Sequence, residues 1–169
     1  METLRETLIL REAISEEVDT LVDFVGRYYA FDGIPFHPFD VRRSLLQLVS
    51  DPRLGKAWIL QVNGISAGYA ILTIGFDHEV GGRIGTITDF YLDPAFRRRG
   101  IGTETLARLE KEAIKLGLEA LELQVVNDNG PARGLYRKMG FQAADRIPMC
   151  KRITKIRESH EKWGGLKIA

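Results

Sequence analysis

The spacing of apolar residues in the first fifty positions predicts one short strand followed by two helices. Residues 8–11 form a short apolar run typical of a strand. Ser15 stands where a helix N-cap is favoured, and apolar residues then recur at helical spacing as far as residues 26–29. Two prolines within residues 33–38 prevent that helix from continuing, and a second amphipathic helix is predicted at about residues 40–49.

A strand-like period begins at Ala57 and predicts three antiparallel strands. Residues 57–62 and 66–76 flank Asn63 and Gly64, a dipeptide that favours the tight turn of a β-hairpin. A polar loop leads into a further run at residues 83–92, so the hairpin gains a third strand.

The second half of the chain predicts helices that alternate with strands. Residues 101–116 carry one apolar stripe, and residues 121–125 alternate as a strand. Residues 131–139 read as a further helix, because a proline fits its first turn and a glycine follows its end. We expect one or two final strands within residues 141–152.

Together these elements predict a mixed α/β (α+β) fold with a mostly antiparallel central sheet of six to seven strands and about four flanking helices. A chain of 169 residues is long enough for one well-buried core and too short for two ordinary domains. We therefore expect one domain at residues 1–152, followed by a basic C-terminal tail or short helix at residues 153–169.

Composition and charge narrow the class of protein. The 24 basic and 23 acidic residues give a net charge of +1, so no overall field draws the chain to nucleic acid. Residues 151–169 carry a net +4 and residues 1–150 a net −3, which would suit a cationic substrate. The single cysteine, Cys150, excludes an internal disulfide, and the chain shows neither a leader peptide nor an apolar run long enough to span a membrane. A cytoplasmic protein is expected.

The segment from Asp89 to Thr103 carries the chemistry. A buried strand ends there in a glycine-containing turn that opens a helix, and such a turn directs unpaired N–H groups and partial positive charge at an anion. Gly100 and Gly102 would allow the backbone to approach phosphate oxygens closely. A P-loop and a dinucleotide-binding fingerprint are both absent from the sequence.

Two motifs in this half of the chain resemble the hallmarks of the GNAT superfamily of N-acetyltransferases. The first is Arg97-x-x-Gly100-x-Gly102, which resembles the family's pyrophosphate signature. The second is Asn129-x-x-Ala132-x-x-Leu135-Tyr136-x-x-x-Gly140-Phe141, which resembles the helix that lines the thioester site. The order of elements is also similar over most of the chain, from about Leu8 to Arg152.

The resemblance implies a GNAT-like acyl-CoA N-acyltransferase fold, splayed between its fourth and fifth strands, with acetyl-CoA bound at the splay. Main-chain groups of Phe90, Tyr91 and Leu92 would pair with the pantetheine arm, and Asn129, Ala132 and Tyr136 would lie against the cofactor. The implied pyrophosphate site consists of Arg97, Arg98, Arg99, Gly100, Ile101, Gly102 and Thr103.

The resemblance also implies catalytic roles. The Leu92 N–H would stabilise the developing oxyanion, and Tyr136 would protonate the departing thiolate. Many family members use a glutamate on the fifth strand as the base that prepares the amine, but Gln124 stands at that position here and cannot accept a proton usefully. Asp89 and Glu79 are the candidate bases and acceptor contacts, and a local similarity of residues 89–92 to diamine acetyltransferases points the same way. A solvated carboxylate is the alternative for each.

Several residues remain open to a structural or a functional interpretation. Tyr28, Tyr29, Phe31, Phe36 and Phe39 could form core, or could wall the acceptor site as the corresponding segment does in the family. Tyr136 could also be a core aromatic. The histidines lack metal-ligand spacing, so no metal is expected, and Cys150 is interpreted as a structural thiol.

The sequence thus predicts direct transfer of an acetyl group from acetyl-CoA to the primary amine of a small cationic metabolite. A protein N-terminal or lysine acetyltransferase is one alternative, and a CoA-binding sensor without catalysis is another. Because the family is often dimeric, a homodimer is a further expectation from the resemblance.

Overall fold

A computed structural model describes residues 6–151 of the chain. The strands are β1 (Leu8–Glu12), β2 (Gly55–Val62), β3 (Ile65–Asp77), β4 (Gly82–Leu92) and β5 (Ala120–Leu123). The α-helices are α1 (Val18–Asp32), α2 (Pro38–Ser50), α3 (Ile101–Lys115) and α4 (Gly130–Lys138). Single 3₁₀ turns at Ser15–Glu17 and Pro94–Phe96 precede α1 and α3.

The five strands form one mixed sheet in chain order. β1 to β4 pair antiparallel with their neighbours, and β5 lies parallel to β4 at the edge. The predicted hairpin between β2 and β3 is confirmed, because Asn63 and Gly64 both take positive φ angles, 51° and 80°. The long β3–β4 hairpin brings Leu92, at the end of β4, beside Gly68 near the start of β3.

Helices cover both faces of the sheet. On β2, Ile59 packs into a core with Leu21 of α1 and Leu45 of α2, whereas its neighbour Trp58 packs with Leu109 of α3 on the other face. Successive side chains of a strand point to opposite faces, so a strand buried on both faces lies between two helical layers. The mixed α/β fold predicted from the sequence is confirmed.

β4 separates from β5 after only four paired positions. The parallel pairing runs from Ile84 to Ile87, and β4 then continues to Leu92 beyond the end of β5. A β-bulge occurs at the same point, because Asp89 pairs with Ile71 and Ile87 pairs with Leu72. The extra residue, Thr88, changes the direction of the side chains that follow it. The bulge and the early end of β5 together leave one edge of β4 open.

The sheet is smaller than the sequence predicted. Six to seven strands were expected, but residues 141–151 form no strand, and Arg152 lies outside the described residues together with the predicted tail at 153–169. Pro148 lacks the N–H that a sheet ladder needs, and the apolar side chains that favoured a strand, Ile147 and Met149, are 87% and 91% exposed. These apolar side chains therefore have no neighbouring surface against which to pack.

The helices are longer than predicted at some ends. α1 runs on to Asp32, where Gly33 ends it in a left-handed conformation, and α2 already begins at Pro38. Among residues 6–151, no helix has both the length and the apolar content needed to cross a lipid bilayer.

Candidate active site

The turn after β4 presents unpaired main-chain donors. Gly100 is the N-cap of α3 and takes a positive φ of 82°, and Arg98 takes a φ of 63° just before it. The first helical bond runs from the Glu104 N–H to the Gly100 carbonyl at 3.1 Å, so the N–H groups of residues 101–103 precede the ladder. A Cβ at Gly100 would have no heavy atom within 4 Å, which shows that this side of the turn is open. This turn, residues 97–103, therefore has the geometry of an anion site and is called the anion turn below.

The three consecutive arginines of this turn lie in different environments. The Arg97 Nε donates to the Leu92 carbonyl at 2.7 Å, and its guanidinium lies over the rings of Phe31 and Tyr91, 4.9 and 5.6 Å from their centroids. Arg99 forms an ion pair with Glu6, whereas Arg98 is exposed. Arg97 thus faces α1, and Arg98 is the arginine most available to an anion at the turn.

Packing explains why residue 102 is a glycine, whereas the sequence suggested that Gly102 allows the backbone to approach phosphate. A Cβ at Gly102 would lie 3.1 Å from Cδ2 of Leu135 and 3.8 Å from Cζ of Phe90. The missing side chain lets the first turn of α3 approach α4 and β4. This contact fixes the position of the anion turn relative to α4, the helix that carries Tyr136.

The open edge of β4 presents the polar groups of alternate residues. The Asp93 N–H donates to the Ala67 carbonyl at 2.8 Å, on the β3 side. Because main-chain groups alternate in direction along a strand, those of Leu92 and Phe90 point away from β3 toward the splay. Tyr91 belongs to the opposite set, and its ring packs with Phe24 and Tyr69 under α1. Of the three residues predicted to pair with the pantetheine arm, Phe90 and Leu92 thus have main-chain groups on the open edge and Tyr91 does not.

α4 holds its two hallmark residues in place by local interactions. Asn129 is the N-cap of the helix, and its Oδ1 accepts a hydrogen bond from the Ala132 N–H at 3.1 Å. Its side-chain NH₂ is then the group that could reach a cofactor. Tyr136 packs edge-on to Phe141 at 5.9 Å, on the same apolar cluster as Phe90, and burial raises the pKa of its hydroxyl. The hydroxyl is therefore protonated at neutral pH.

Asp89 is a partly buried carboxylate beside three tyrosines. Its Oδ1 accepts a hydrogen bond from the Tyr69 hydroxyl at 3.3 Å. Burial raises the pKa of Asp89 to about 6, while hydrogen bonds from Tyr69 and Thr88 act in the opposite direction. The nearby charge of Asp89 also contributes to the raised pKa values of Tyr28, Tyr29 and Tyr69, with burial the larger cause. Such a carboxylate can accept a proton near neutral pH.

Asp89 lies at one end of an open cleft of about 480 Å³ between α1, α2 and the sheet. Tyr29 and Thr88 line the same end of the cleft. Phe36 packs edge-on to Tyr29 at 6.1 Å, and Tyr28 packs against Tyr29 at 5.8 Å. Tyr28 and Tyr29, two of the aromatic residues predicted to wall an acceptor site, therefore lie near the carboxylate, and Phe36 packs on Tyr29.

Other candidate residues lie away from this group. Phe31 is 63% exposed and lies under Arg97, and Phe39 is 76% exposed on α2. Glu79 lies in the β3–β4 turn, where Arg146 donates to its Oε2 at 3.0 Å. Asp89 lies seven positions along β4 from Gly82, which is about 23 Å at 3.3 Å per residue. The structure does not bring Glu79 and Asp89 together, so a shared role at one reacting atom does not fit.

Gln124 follows the end of β5 and is exposed, so β5 provides no carboxylate at the position predicted from the family pattern. Cys150 is exposed, which gives no support to its interpretation as a structural thiol. Within residues 6–151, no three His, Cys, Asp or Glu side chains are grouped so as to hold a metal ion.

Sequence reasoning missed two parts of the site. Tyr69 is fully buried and orients Asp89, and the signal for it was a lone hydroxyl-bearing aromatic within an otherwise small and aliphatic strand. The bulge at Thr88 had no signal, because a register shift depends on the partner strand rather than on local sequence.

Comparisons with known proteins give one consistent result. The sequence profile of the Acetyltransferase (GNAT) family matches residues 20–141. An acetyltransferase of Pectobacterium atrosepticum is 33% identical over 100 residues, which cover 59% of this chain and 67% of the relative.

Solved structures share the fold. An integron cassette protein from the mobile metagenome of Cole Harbour Salt Marsh matches with a TM-score of 0.77 and 28% identity, over 86% of this chain and 90% of its own. A predicted acetyltransferase of Clostridium acetobutylicum, solved with acetyl-CoA, matches with a TM-score of 0.72 and 25% identity, over 86% and 96% of the two chains. Since the profile covers most of the chain, and the relative and the fold agree with it, the chain belongs to the GNAT acetyltransferase family.

Proposed function

We propose that this chain transfers the acetyl group of acetyl-CoA to the primary amine of a small cationic metabolite by direct attack in a ternary complex. One observation carries the proposal. A single stretch of β4 has the open main-chain edge of Phe90 and Leu92 on its β5 side and the Asp89 carboxylate on the cleft under α2. A donor and an acceptor held on the two sides of one strand would meet at its bulge.

The anion turn fits the pyrophosphate of acetyl-CoA. The donors of residues 101–103 precede the helical ladder of α3, and Gly100 leaves their approach open. Arg98 is exposed next to them and would add a charge. The Leu92 carbonyl already accepts a hydrogen bond from Arg97. The pantetheine amides would pair with those outward main-chain groups of Phe90 and Leu92 that are used neither by Arg97 nor by the acetyl oxygen, as an added strand does at a sheet edge. Acetyl-CoA supplies the acetyl group as an activated thioester.

Three groups of this chain would act on the reacting atoms. Asp89, directly or through a water, takes the proton that the attacking amine must lose. An outward N–H of β4 stabilises the negative charge that develops on the acetyl oxygen. Leu92 is the donor predicted from the sequence, and Phe90 offers an equivalent N–H one step nearer to Asp89. Tyr136 gives its proton to the thiolate as the bond between carbon and sulfur breaks.

Replacement of Tyr136 by Phe tests the proposal at the chemical step. The change removes one oxygen from a half-buried ring that packs on Phe141, so folding and CoA affinity should change little. Loss of a general acid typically costs about 100-fold or more in turnover. We expect kcat, measured as release of free thiol from acetyl-CoA, to fall by about that factor while KM for acetyl-CoA stays within about twofold.

An unchanged kcat in Tyr136→Phe would remove this residue from the mechanism. Turnover of the wild type should also be measured with three separate groups of acceptors: small amines, amino acids, and peptides with free N-termini. Turnover with peptides alone would replace the proposal by a protein acetyltransferase. Binding of CoA with no turnover in any arm would leave a CoA-binding module without catalysis.

A further inference from the structure

The cleft that ends at Asp89 is lined mainly by hydrocarbon. Leu45 and Leu48 of α2 line it opposite Ile71 of β3, and Val25, Val41 and Leu54 add further hydrocarbon. The other polar residues in the lining are uncharged. Among the described residues that line this cleft, Asp89 is the only charged one.

The cleft extends along β3 from the level of Asp89 to Leu54. Ile71 is the β-sheet partner of Asp89, and Ile74 lies three residues farther along β3. The Ile74 N–H donates to the Leu54 carbonyl at 2.9 Å, so Leu54 flanks that end of the strand. At 3.3 Å per residue the cleft extends about 10 Å from the carboxylate to Leu54.

We infer that the acceptor is a monoamine with an apolar substituent, an alkyl chain of about six carbons or an aromatic ring of similar length. The inference rests on the proposed function and names the class of amine that its acceptor cleft would take. The amine lies at Asp89 and the substituent extends between α2 and β3 toward Leu54. A cleft of about 480 Å³ is within the usual size of small-molecule sites.

A diamine is the wrong chemistry for this cleft. One carboxylate neutralises one ammonium group, and a second ammonium group would lie near Leu48 and Leu54, where the polar residues of the lining, such as Gln47 and Thr73, carry no charge to pair with it. An unpaired charge in apolar surroundings is strongly unfavourable, whereas a methyl group there loses only water. The cleft thus selects for a single charge.

A matched pair of substrates tests this directly. Hexylamine and 1,5-diaminopentane have the same length and differ in one terminal group, a methyl against an ammonium. We expect kcat/KM for hexylamine to exceed that for the diamine by at least about tenfold, and to rise about threefold for each methylene from propylamine to hexylamine. Equal or higher kcat/KM for the diamine, with no dependence on chain length, would overturn the inference.

A variant with a second carboxylate provides the reciprocal test. Leu54 is 39% exposed, so Leu54→Glu should fold and should place a negative charge at the far end of the cleft. The preference for hexylamine should shrink by about tenfold or reverse. Ile114→Glu adds the same charge at a 69% exposed position on α3 and should leave the ratio as in wild type. An unchanged ratio in Leu54→Glu would place the substituent elsewhere and contradict the inference.

The failure of the inference and that of the proposed function give different results. If CoA binds and other amines are acetylated without regard to their apolar substituent, only the inference fails. If no amine, hexylamine included, is acetylated, both fail. Calorimetric titration of hexylamine into the protein with CoA adds a readout without turnover, in which saturable binding that Leu54→Glu weakens supports the inference and absence of binding contradicts it.

Discussion

At the scale of single residues, the proposed function depends most on Asp89. Its neighbours are the hydroxyls of Tyr28 and Tyr29 from α1, of Tyr69 from β3, and of Thr88 on its own strand. These groups are neutral at physiological pH, so no cation holds the pKa of Asp89 down. Burial raises that pKa from 3.8 to about 6. Asp89 is then ionised at neutral pH but close enough to its pKa to exchange a proton.

The raised pKa predicts an acidic limb in the pH dependence of kcat/KM. Below about pH 6 Asp89 is protonated and can neither attract an ammonium group nor accept its proton, so kcat/KM should fall as pH decreases through that value. Asp89→Asn should lower kcat/KM by about 100-fold at pH 7.5 and abolish this limb. Asp23→Asn changes an exposed carboxylate of α1 and should leave the profile intact. A limb near pH 6 that persists in Asp89→Asn would assign it to another group.

The same residue should reduce stability at neutral pH. The folded state holds the Asp89 proton more tightly than the unfolded chain does. Protonated Asp89 therefore stabilises the folded state below about pH 4, and this stabilisation is lost as pH rises through about 6. Asp89→Asn should therefore raise the free energy of unfolding at pH 7.5 by about 1–3 kcal/mol, and by much less at pH 4. Urea denaturation of both proteins at the two pH values measures the difference. A loss of stability at pH 7.5 would show that the carboxylate is better solvated than its position indicates.

At the scale of elements, α4 shows where the sequence was and was not sufficient. The spacing of Asn129, Tyr136 and Gly140 predicted the helix, which the structure confirms, and its place beside the thioester stays a prediction. It did not predict that Asn129 serves as the N-cap, because a side chain that caps and one that binds a cofactor leave the same sequence pattern. The two functions need different atoms of the amide, and substitution can separate them.

Replacement of Asn129 distinguishes capping from cofactor contact. Asn129→Ala removes the acceptor for the Ala132 N–H and should cost about 1 kcal/mol of stability, with a lower kcat because α4 carries Tyr136. Asn129→Asp keeps the acceptor but loses the NH₂ group. If the amide also contacts acetyl-CoA, Asn129→Asp should restore stability yet raise KM for acetyl-CoA several-fold. Full recovery of both properties would limit Asn129 to capping.

Strands were predicted correctly where their apolar side chains pack against a neighbouring layer. The alternation along residues 57–62 and 83–92 predicted β2 and β4, since their side chains fill the layers on both sides of the sheet. The same kind of pattern at Ile147 and Met149 predicted a strand that the structure lacks, because those side chains meet solvent. Glu79 was chosen for its charge alone, and only the length of the β3–β4 hairpin reveals its distance from Asp89.

At the scale of the whole molecule, function depends on how the sheet is layered. β4 is the fourth of the five strands in the sheet and lies next to the edge strand β5. Helices α1 and α2 pack on one face of the sheet, and α3 and α4 pack on the other. The end of β5 at Leu123 opens the edge of β4, and the bulge turns Asp89 to the α2 face. In the proposed function, this arrangement holds the donor on one side of β4 and the acceptor in the cleft on the other.

The central claim is that CoA binds at the turn between β4 and α3 through main-chain donors, and thermal melting with CoA tests it most directly. Ligand at about 100 times its Kd should stabilise the folded chain by about 2.7 kcal/mol, which is a rise in Tm of roughly 5–10 °C at this size. Gly100→Val and Gly117→Val place a side chain at similar positive φ angles, 82° and 67°, at opposite ends of α3. Both should lower Tm alike without ligand. With CoA, wild type and Gly117→Val should show the full rise and Gly100→Val little or none. A flat response of the wild type to millimolar CoA, or an equal rise in both variants, would contradict the account.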